Sequence, residues 1–321
     1  MKNSEPKIEH KILEKILFKL VSKHIGGITL SSLLAKAREN EKNKIHTTIT
    51  FLNEDPTKAR YNANTYIQLI RQIARLHINA DLSIRLSQLG YGLNNTTFNN
   101  CFQDILDTAK KEGIKCWIES EKNIKTEELL TLYRFFNKNY KNLGVEISLN
   151  YPLEVNLIKK YIRSKDNIKL TSYFLNLKEM NNKSNKSIKS DKKKKSNNND
   201  ELYDGKYLLE RYISDTAKLL QVGTNVVVFE SNEKIAAKIA SFGREYKKNI
   251  VFELPYGSSK KWISKLIKMK ANISFYMPYG KDWIHYVTNR LTYGHHKVSA
   301  ITAKFLELNS YKENNKKQIK R

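Results

Sequence analysis

The sequence predicts an α/β protein, a closed (β/α)8 barrel of the TIM type with extra helices at its N-terminus. Strand-like runs of period two alternate with amphipathic helical stripes eight times along the chain, the order of a parallel barrel. A chain of 321 residues with 40% hydrophobic content can bury one large core. No Gly-x-Gly-x-x-Gly run opens a helix, which weighs against an open dinucleotide-binding sheet.

The chain begins with a helical stripe over residues 8–24, where Ile12, Leu13, Ile16, Leu17, Leu20 and Val21 share one side. It is expected to pack as a lid or a bottom cap. Gly26 and Gly27 separate it from a short helix at 31–39, and residues 1–43 together form an N-terminal helical cap. The first strand, 44–52, shows alternation of Ile45, Thr47, Ile49 and Phe51 with their neighbours. Further strands are expected at 82–87, 114–119, 145–149, 168–173, 225–229, 250–254 and 273–277. The helices that follow the strands are expected at 65–76, 98–111, 126–140, 153–162, 207–220, 233–246, 260–269 and 283–291. The barrel therefore occupies 44–310, and 311–321 is a basic tail.

One insertion interrupts this rhythm. Residues 178–206 are rich in Lys, Asn and Ser and nearly free of apolar side chains, so they are expected to be disordered. They fall between strand five and the next helix, on the carboxyl-end face where barrel sites are built.

The formal net charge of +26 permits attraction to anionic surfaces. The 178–206 insertion, with nine lysines against five acids, supplies little of it. Basic residues are not interleaved with aromatics in any one segment, so nucleic acid is not the expected partner. No apolar run approaches the roughly 18 residues needed to cross a bilayer. A cytoplasmic protein is expected, with peripheral membrane contact permitted by the charge. Cys101 and Cys116 lack metal-ligand spacing and are expected as reduced core thiols. His295 and His296 have no third ligand in sequence reach, so no metal site is expected.

The most informative stretch is 272–291, NISFYMPYGKDWIHYVTNRL. Ile273, Phe275 and Met277 alternate with Ser274 and Tyr276, placing Tyr276 on a possible ligand side. Pro278 and Gly280 end the strand, and Asp282 is placed to cap a helix that carries Trp283, Tyr286, Val287, Arg290 and Leu291 on one side.

This run resembles the signature of proline dehydrogenases, Tyr-x-Pro-Tyr-Gly-x-x-Trp followed by Arg-Arg-Leu. The matching residues are Tyr276, Pro278, Tyr279, Gly280, Trp283, Tyr286, Arg290 and Leu291, with Asn289 in place of the first arginine and Tyr293 in place of a following glutamate. The resemblance runs roughly from residue 12 to 308. It includes Leu82 to Gly90, LSIRLSQLG, with Arg85 where the family has a lysine, and Ile118 to Glu121, IESE, similar to Ile-Asp-Met-Glu. Leu52-Asn53-Glu54 stands where the family has Leu-Gly-Glu.

The resemblance implies a flavoprotein that oxidises L-proline, or a related cyclic amine, to 1-pyrroline-5-carboxylate in proline catabolism. FAD would be the hydride acceptor and a quinone a possible final acceptor. Tyr276 would pack on the ring, Arg85 and Arg290 would clamp the carboxylate, and Glu119 would hold a clamp residue in place. The flavin positions fall on Ser148, Lys169 with Ser172, Glu230 to Asn232, and Glu253, and only Lys169 keeps a cation. No acid or base is assigned, because amine oxidation by flavin rests on hydride acceptance by the cofactor. The alternative is a barrel that has lost flavin and serves as a binding or scaffold protein.

Overall fold

The computed structural model describes residues 12, 15–19, 22–53, 55–121, 123–148, 155–171, 205–229, 233–246, 250–284 and 286. The strands are β1 (His46–Phe51), β2 (Ala80–Ile84), β3 (Cys116–Ile118), β4 (Leu143–Ser148), β5 (Asn167–Thr171), β6 (Asn225–Phe229), β7 (Val251–Pro255) and β8 (Asn272–Tyr279). The helices are α1 (Leu30–Lys42), α2 (Ala59–Arg75), α3 (Asn95–Lys111), α4 (Thr126–Asn137), α5 (Val155–Tyr161), α6 (Gly205–Val222), α7 (Glu233–Glu245) and α8 (Lys260–Lys268). Every strand pairs in parallel with its successor, and β8 closes on β1 from His46↔Ser274 to Phe51↔Tyr279. The predicted closed (β/α)8 barrel is therefore the observed fold. The helix expected after β8 lies mostly outside the described residues, and so does nearly all of the 178–206 insertion and the whole basic tail.

Closure follows from alternation. Ile49, Leu82, Ile84, Ile118, Val145, Ile168, Leu170, Val228 and Leu254 point outward and are fully buried beneath the helices in one continuous core. Helix α2 meets that core through Ala63, Tyr66, Ile70 and Ile73, and α3 through Phe98, Cys101, Phe102, Ile105 and Ala109, both at helical spacing. Cys101 and Cys116 are free and buried.

Two boundaries differ from expectation for local reasons. Helix α2 begins six residues earlier than the apolar stripe, because Asp55 caps a 3-10 turn headed by Pro56 that runs straight into Ala59. Strand β2 stops at Ile84 rather than 87. The Glu121 carboxylate accepts from the Ser87 backbone N–H at 3.0 Å and from its hydroxyl, which turns Ser87–Leu89 into a 3-10 turn ending at Gly90 with φ +88°.

The N-terminal segment is a lid over the carboxyl ends of the strands. Residues 15–19 are helical, and Leu17 is fully buried against a cluster with Ile25, Leu52, Tyr276, Trp283 and Tyr286. Backbone bonds from Gly26 N–H to the Pro278 carbonyl at 2.7 Å and from Gly280 N–H to the Gly27 carbonyl at 3.0 Å stitch it to the end of β8. Lys36 fixes the intervening turn by donating to the carbonyls of Ser22 and Ile25.

Inside the barrel, Trp117 on β3 lies directly beside Gly144 on β4. A Cβ at position 144 would come within 2.5 Å of the indole ring, so the glycine makes room for the largest fully buried side chain. Gly144→Ala is expected to destabilise by about 1–3 kcal/mol through overpacking. A denaturation midpoint equal to the parent's would place the indole elsewhere.

Candidate functional site at the carboxyl-end mouth

The inward faces of these strands are unusually polar. Arg85 and Glu119 follow immediately on the last residues of β2 and β3, at the rim where barrel sites form, and Tyr276 reaches the same place from β8. The Tyr276 hydroxyl donates to Glu119 Oε1 at 2.7 Å, while Arg85 Nε lies 3.3 Å from Glu119 Oε2. One carboxylate, 3% exposed, thus orients both a phenol and a guanidinium. The Tyr276 ring is further held edge-on by Phe229 at 6.1 Å. Of the residues expected in the substrate site, Arg85, Glu119 and Tyr276 come together, and Arg290 lies outside the described residues.

The flavin positions divide. Ser148 ends β4 at the mouth, and its hydroxyl oxygen is buried with no hydrogen-bond partner among the described residues. Lys169 and Glu253 sit deeper. The register pairs Lys169 with Glu146 and places Ser148 with Thr171 one layer above. Lys169 Nζ is 2.8 Å from Glu253 Oε2 and 3.0 Å from Oε1, and both side chains are almost completely buried. Its ammonium also lies over the Trp117 ring at 5.0 Å and the Tyr276 ring at 5.8 Å. Lys169 therefore serves Glu253 and two aromatic faces. Glu54, Ser172 and Glu230 to Asn232 lie outside the described residues.

Glu121 is not beside Arg85 as its twin carboxylate is. It holds the Ser87 turn instead, so the two acids of the IESE run have separate duties. Residues the sequence reading passed over also face inward. Glu146 is buried on β4 and accepts from the Thr171 hydroxyl at 3.4 Å, and Trp117 forms the wall behind Lys169. Two-residue periodicity from Ser148 would have put Glu146 on the same side.

Below this layer, at the amino ends of the strands, Asp81 joins two more residues. His46 Nε2 is 3.2 Å from one carboxylate oxygen, and the Trp117 indole N–H donates to the other at 2.9 Å. Burial alone would lower the His46 pKa, but hydrogen bonding to Asp81 and its charge outweigh it and the net shift is upward. Burial, the largest single influence on Asp81, opposes its charge too, yet His46, Lys115 and the Trp117 indole together outweigh it and hold the carboxyl below its usual value.

No protein-family model matches the chain. Proline dehydrogenase 2 of Bacillus subtilis (strain 168) is 22% identical over 276 residues, covering 84% of this chain and 84% of its own length. Proline dehydrogenase 1 of the same strain is 22% identical over 274 residues, covering 83% and 84%. Among solved structures, proline utilization A from Bdellovibrio bacteriovorus, inactivated by N-propargylglycine, superposes with a TM-score of 0.68 at 12% identity over 92% of this chain. Proline utilization A from Corynebacterium freiburgense gives a TM-score of 0.63 at 11% identity over 95% of this chain. This chain spans 33% and 34% of those two, about a third of their length. It is thus similar in sequence to proline dehydrogenases over most of its length and shares its fold with the barrel in proline utilization A. Among the described residues, no helix is long and apolar enough to cross a membrane.

Two outcomes follow from this geometry. Removing one partner of the Lys169–Glu253 pair, as in Lys169→Met or Glu253→Gln, is expected to cost about 3–5 kcal/mol, while the double change Lys169→Met with Glu253→Leu recovers much of it. Strictly additive losses in chemical denaturation would disprove the pairing. For His46 and Asp81 the sign is set by both shifts. The raised histidine contributes stability that is complete below its ordinary pKa of about 6.5 and is lost as pH climbs through the raised value. The depressed aspartate contributes stability present above the ordinary carboxylate range and lost as pH falls through the depressed value. Thermal midpoints of the parent and His46→Gln should therefore differ most in the weakly acidic range and converge at alkaline pH. A gap that widens on the alkaline side contradicts this.

Proposed function

We propose that the chain is a flavoprotein dehydrogenase oxidising L-proline, or a closely related cyclic amino acid, to 1-pyrroline-5-carboxylate. The observation that carries this is the Glu119 carboxylate, which ties the Tyr276 phenol and the Arg85 guanidinium together at the carboxyl-end rim. Such a rim sets an aromatic ring beside a cation, a pairing that suits a small ring bearing a carboxylate. The 22% identity to two proline dehydrogenases supports the same substrate.

In this reading Arg85, joined by Arg290, binds the substrate carboxylate, and Tyr276 packs against the ring. Glu119 is a positioning residue. It holds the phenol and guanidinium in fixed relation before substrate arrives, so less ordering cost falls on binding. The lid carrying Leu17 and Phe18 covers the rim and excludes water from it. FAD, when bound, supplies the hydride acceptor, with a quinone as a further acceptor. The fit at the mouth rests on Ser148, whose unpartnered buried oxygen is a group that a flavin edge would satisfy. Lys169 is the other residue that would hold the flavin, and as an ammonium compensated by Glu253 it would offer less positive charge than an arginine or lysine alone.

That same compensation favours a second reading, a barrel that binds a small amino acid without flavin, since the one matching cation is committed internally. The two are separated by the absorbance spectrum of the purified protein. The flavoprotein reading expects a yellow protein bleached anaerobically by L-proline, and a colourless protein that takes up no added FAD refutes it. Arg85→Gln is expected to raise KM for proline by about 10–100-fold, the worth of one or two charge-assisted hydrogen bonds, with kcat changed far less. An unchanged KM would remove Arg85 from the site.

A further inference from the structure

Among the described residues, the opposite end of the barrel holds a cavity. Barrel interiors are ordinarily filled by layers of bulky side chains. Here the inward positions of the lower layer are small, with Thr48 on β1, Val227 on β6, Val251 on β7 and Ser274 on β8. They leave a cavity of about 650 Å³ at the amino ends of the strands, the size of a small-molecule site. Ile45, Trp117 and Ile273 give it apolar walls, and Ile267 of α8 stands at its edge with 58% exposure, unusual for an isoleucine. The floor is Glu253, so the Lys169–Glu253 pair separates this cavity from the carboxyl-end mouth.

Its charges do not cancel. Lys44, His46 and Lys115 line the cavity together with Asp81 and Glu253. Glu253 is occupied by Lys169, and Asp81 by His46 and the Trp117 indole. Lys115 Nζ lies over the Trp117 ring at 5.5 Å, and Lys44 is held at the rim with φ +59°. Two lysines therefore face a chamber of mixed polar and apolar walls in which Glu253 is matched by Lys169 and Asp81 chiefly by His46, with the charge of Lys115 also acting on Asp81. Inorganic phosphate would leave the apolar walls unsatisfied, and a cation would meet two ammonium groups.

We propose that this lower cavity binds a small organic anion, an aryl or branched aliphatic carboxylate, with its body against Trp117 and Ile273 and its charge towards Lys44 and Lys115. The site is distinct from the carboxyl-end mouth and does not depend on flavin or proline.

Calorimetric titration of the full chain with benzoate tests it, with benzylamine as the isosteric cation. Benzoate is expected to bind with Kd of about 1 mM or tighter, and benzylamine at least about tenfold more weakly. The double variant Lys44→Gly with Lys115→Gln, both outside the core and the first relieving a left-handed lysine, should lose at least about tenfold in benzoate affinity. In the Arg85→Gln background, which removes carboxylate binding at the other mouth, the benzoate isotherm of the lower cavity should persist. Equal binding of the two probes, no benzoate binding, or full affinity in the double variant overturns the proposal. Loss in Arg85→Gln alone would assign the anion to the upper mouth and equally overturn it, while leaving the proline reading intact.

Discussion

An ammonium with no solvent exposure at the centre of a barrel must have a counter-ion, and Glu253 provides it. That pair decides how the interior is divided. Lys169 and Glu253 approach from β5 and β7 across the space left by Val227 on β6, and the aromatic faces of Trp117 and Tyr276 close on the ammonium. This cluster, with Glu146 in register beside Lys169, lies between the carboxyl-end rim and the lower cavity. The rim is formed by Arg85, Glu119 and Tyr276 and covered by the N-terminal segment. The lower cavity is lined by polar as well as apolar residues, Trp117 and Ile273 among the latter, and has two lysines in its lining.

Glu119 plays the same part for the upper rim that Glu253 plays for the middle layer. Its oxygens are divided between Tyr276 and Arg85, so neither can reorient without breaking a contact with a nearly buried carboxylate. The neighbouring phenols are kept neutral. Burial and the nearby Glu119 charge push the Tyr66 phenol upward, and burial does the same for Tyr279. Charge at the rim is thereby confined to Arg85 and Glu119 among these residues, and a ligand carboxylate would meet a guanidinium whose direction is already fixed.

The barrel was legible because strand and helix periodicities differ and repeat, and because outward strand positions such as Ile49, Leu82 and Val145 had to be apolar. The meeting of Tyr276 with Glu119 was legible only through motif resemblance, since nothing local relates positions 157 residues apart. Boundaries failed where side chains took over from periodicity, as when Glu121 captured Ser87 and ended β2 early. The depth of Lys169 was hidden for a different reason. Alternation gives the side of a strand on which a residue lies but not how its strand is staggered against the next, and stagger sets the layer. Glu146 and Asp81 differ, since simple counting from Ser148 and Arg85 already puts each on the inward side.

The two ends of the barrel show how one alternation pattern yields unlike surfaces. At the carboxyl end the inward residues are large and mutually bonded, Tyr276 with Glu119 and Arg85, and the lid adds Leu17 and Phe18 above them. At the amino end Thr48, Val227, Val251 and Ser274 are too short to meet across the axis, so space persists. Trp117 links the regimes. Its ring reaches Lys169, while its indole N–H is spent on Asp81 near the lower rim, and Gly144 is the concession in the next strand that lets the ring lie there. A change in the lower cavity that moved this indole would alter the face presented to Lys169, and through it the cation beneath Tyr276. That ring and that ion pair thus span the interior between the two ends, whereas Thr48, Val227 and Ser274 are too short to do so.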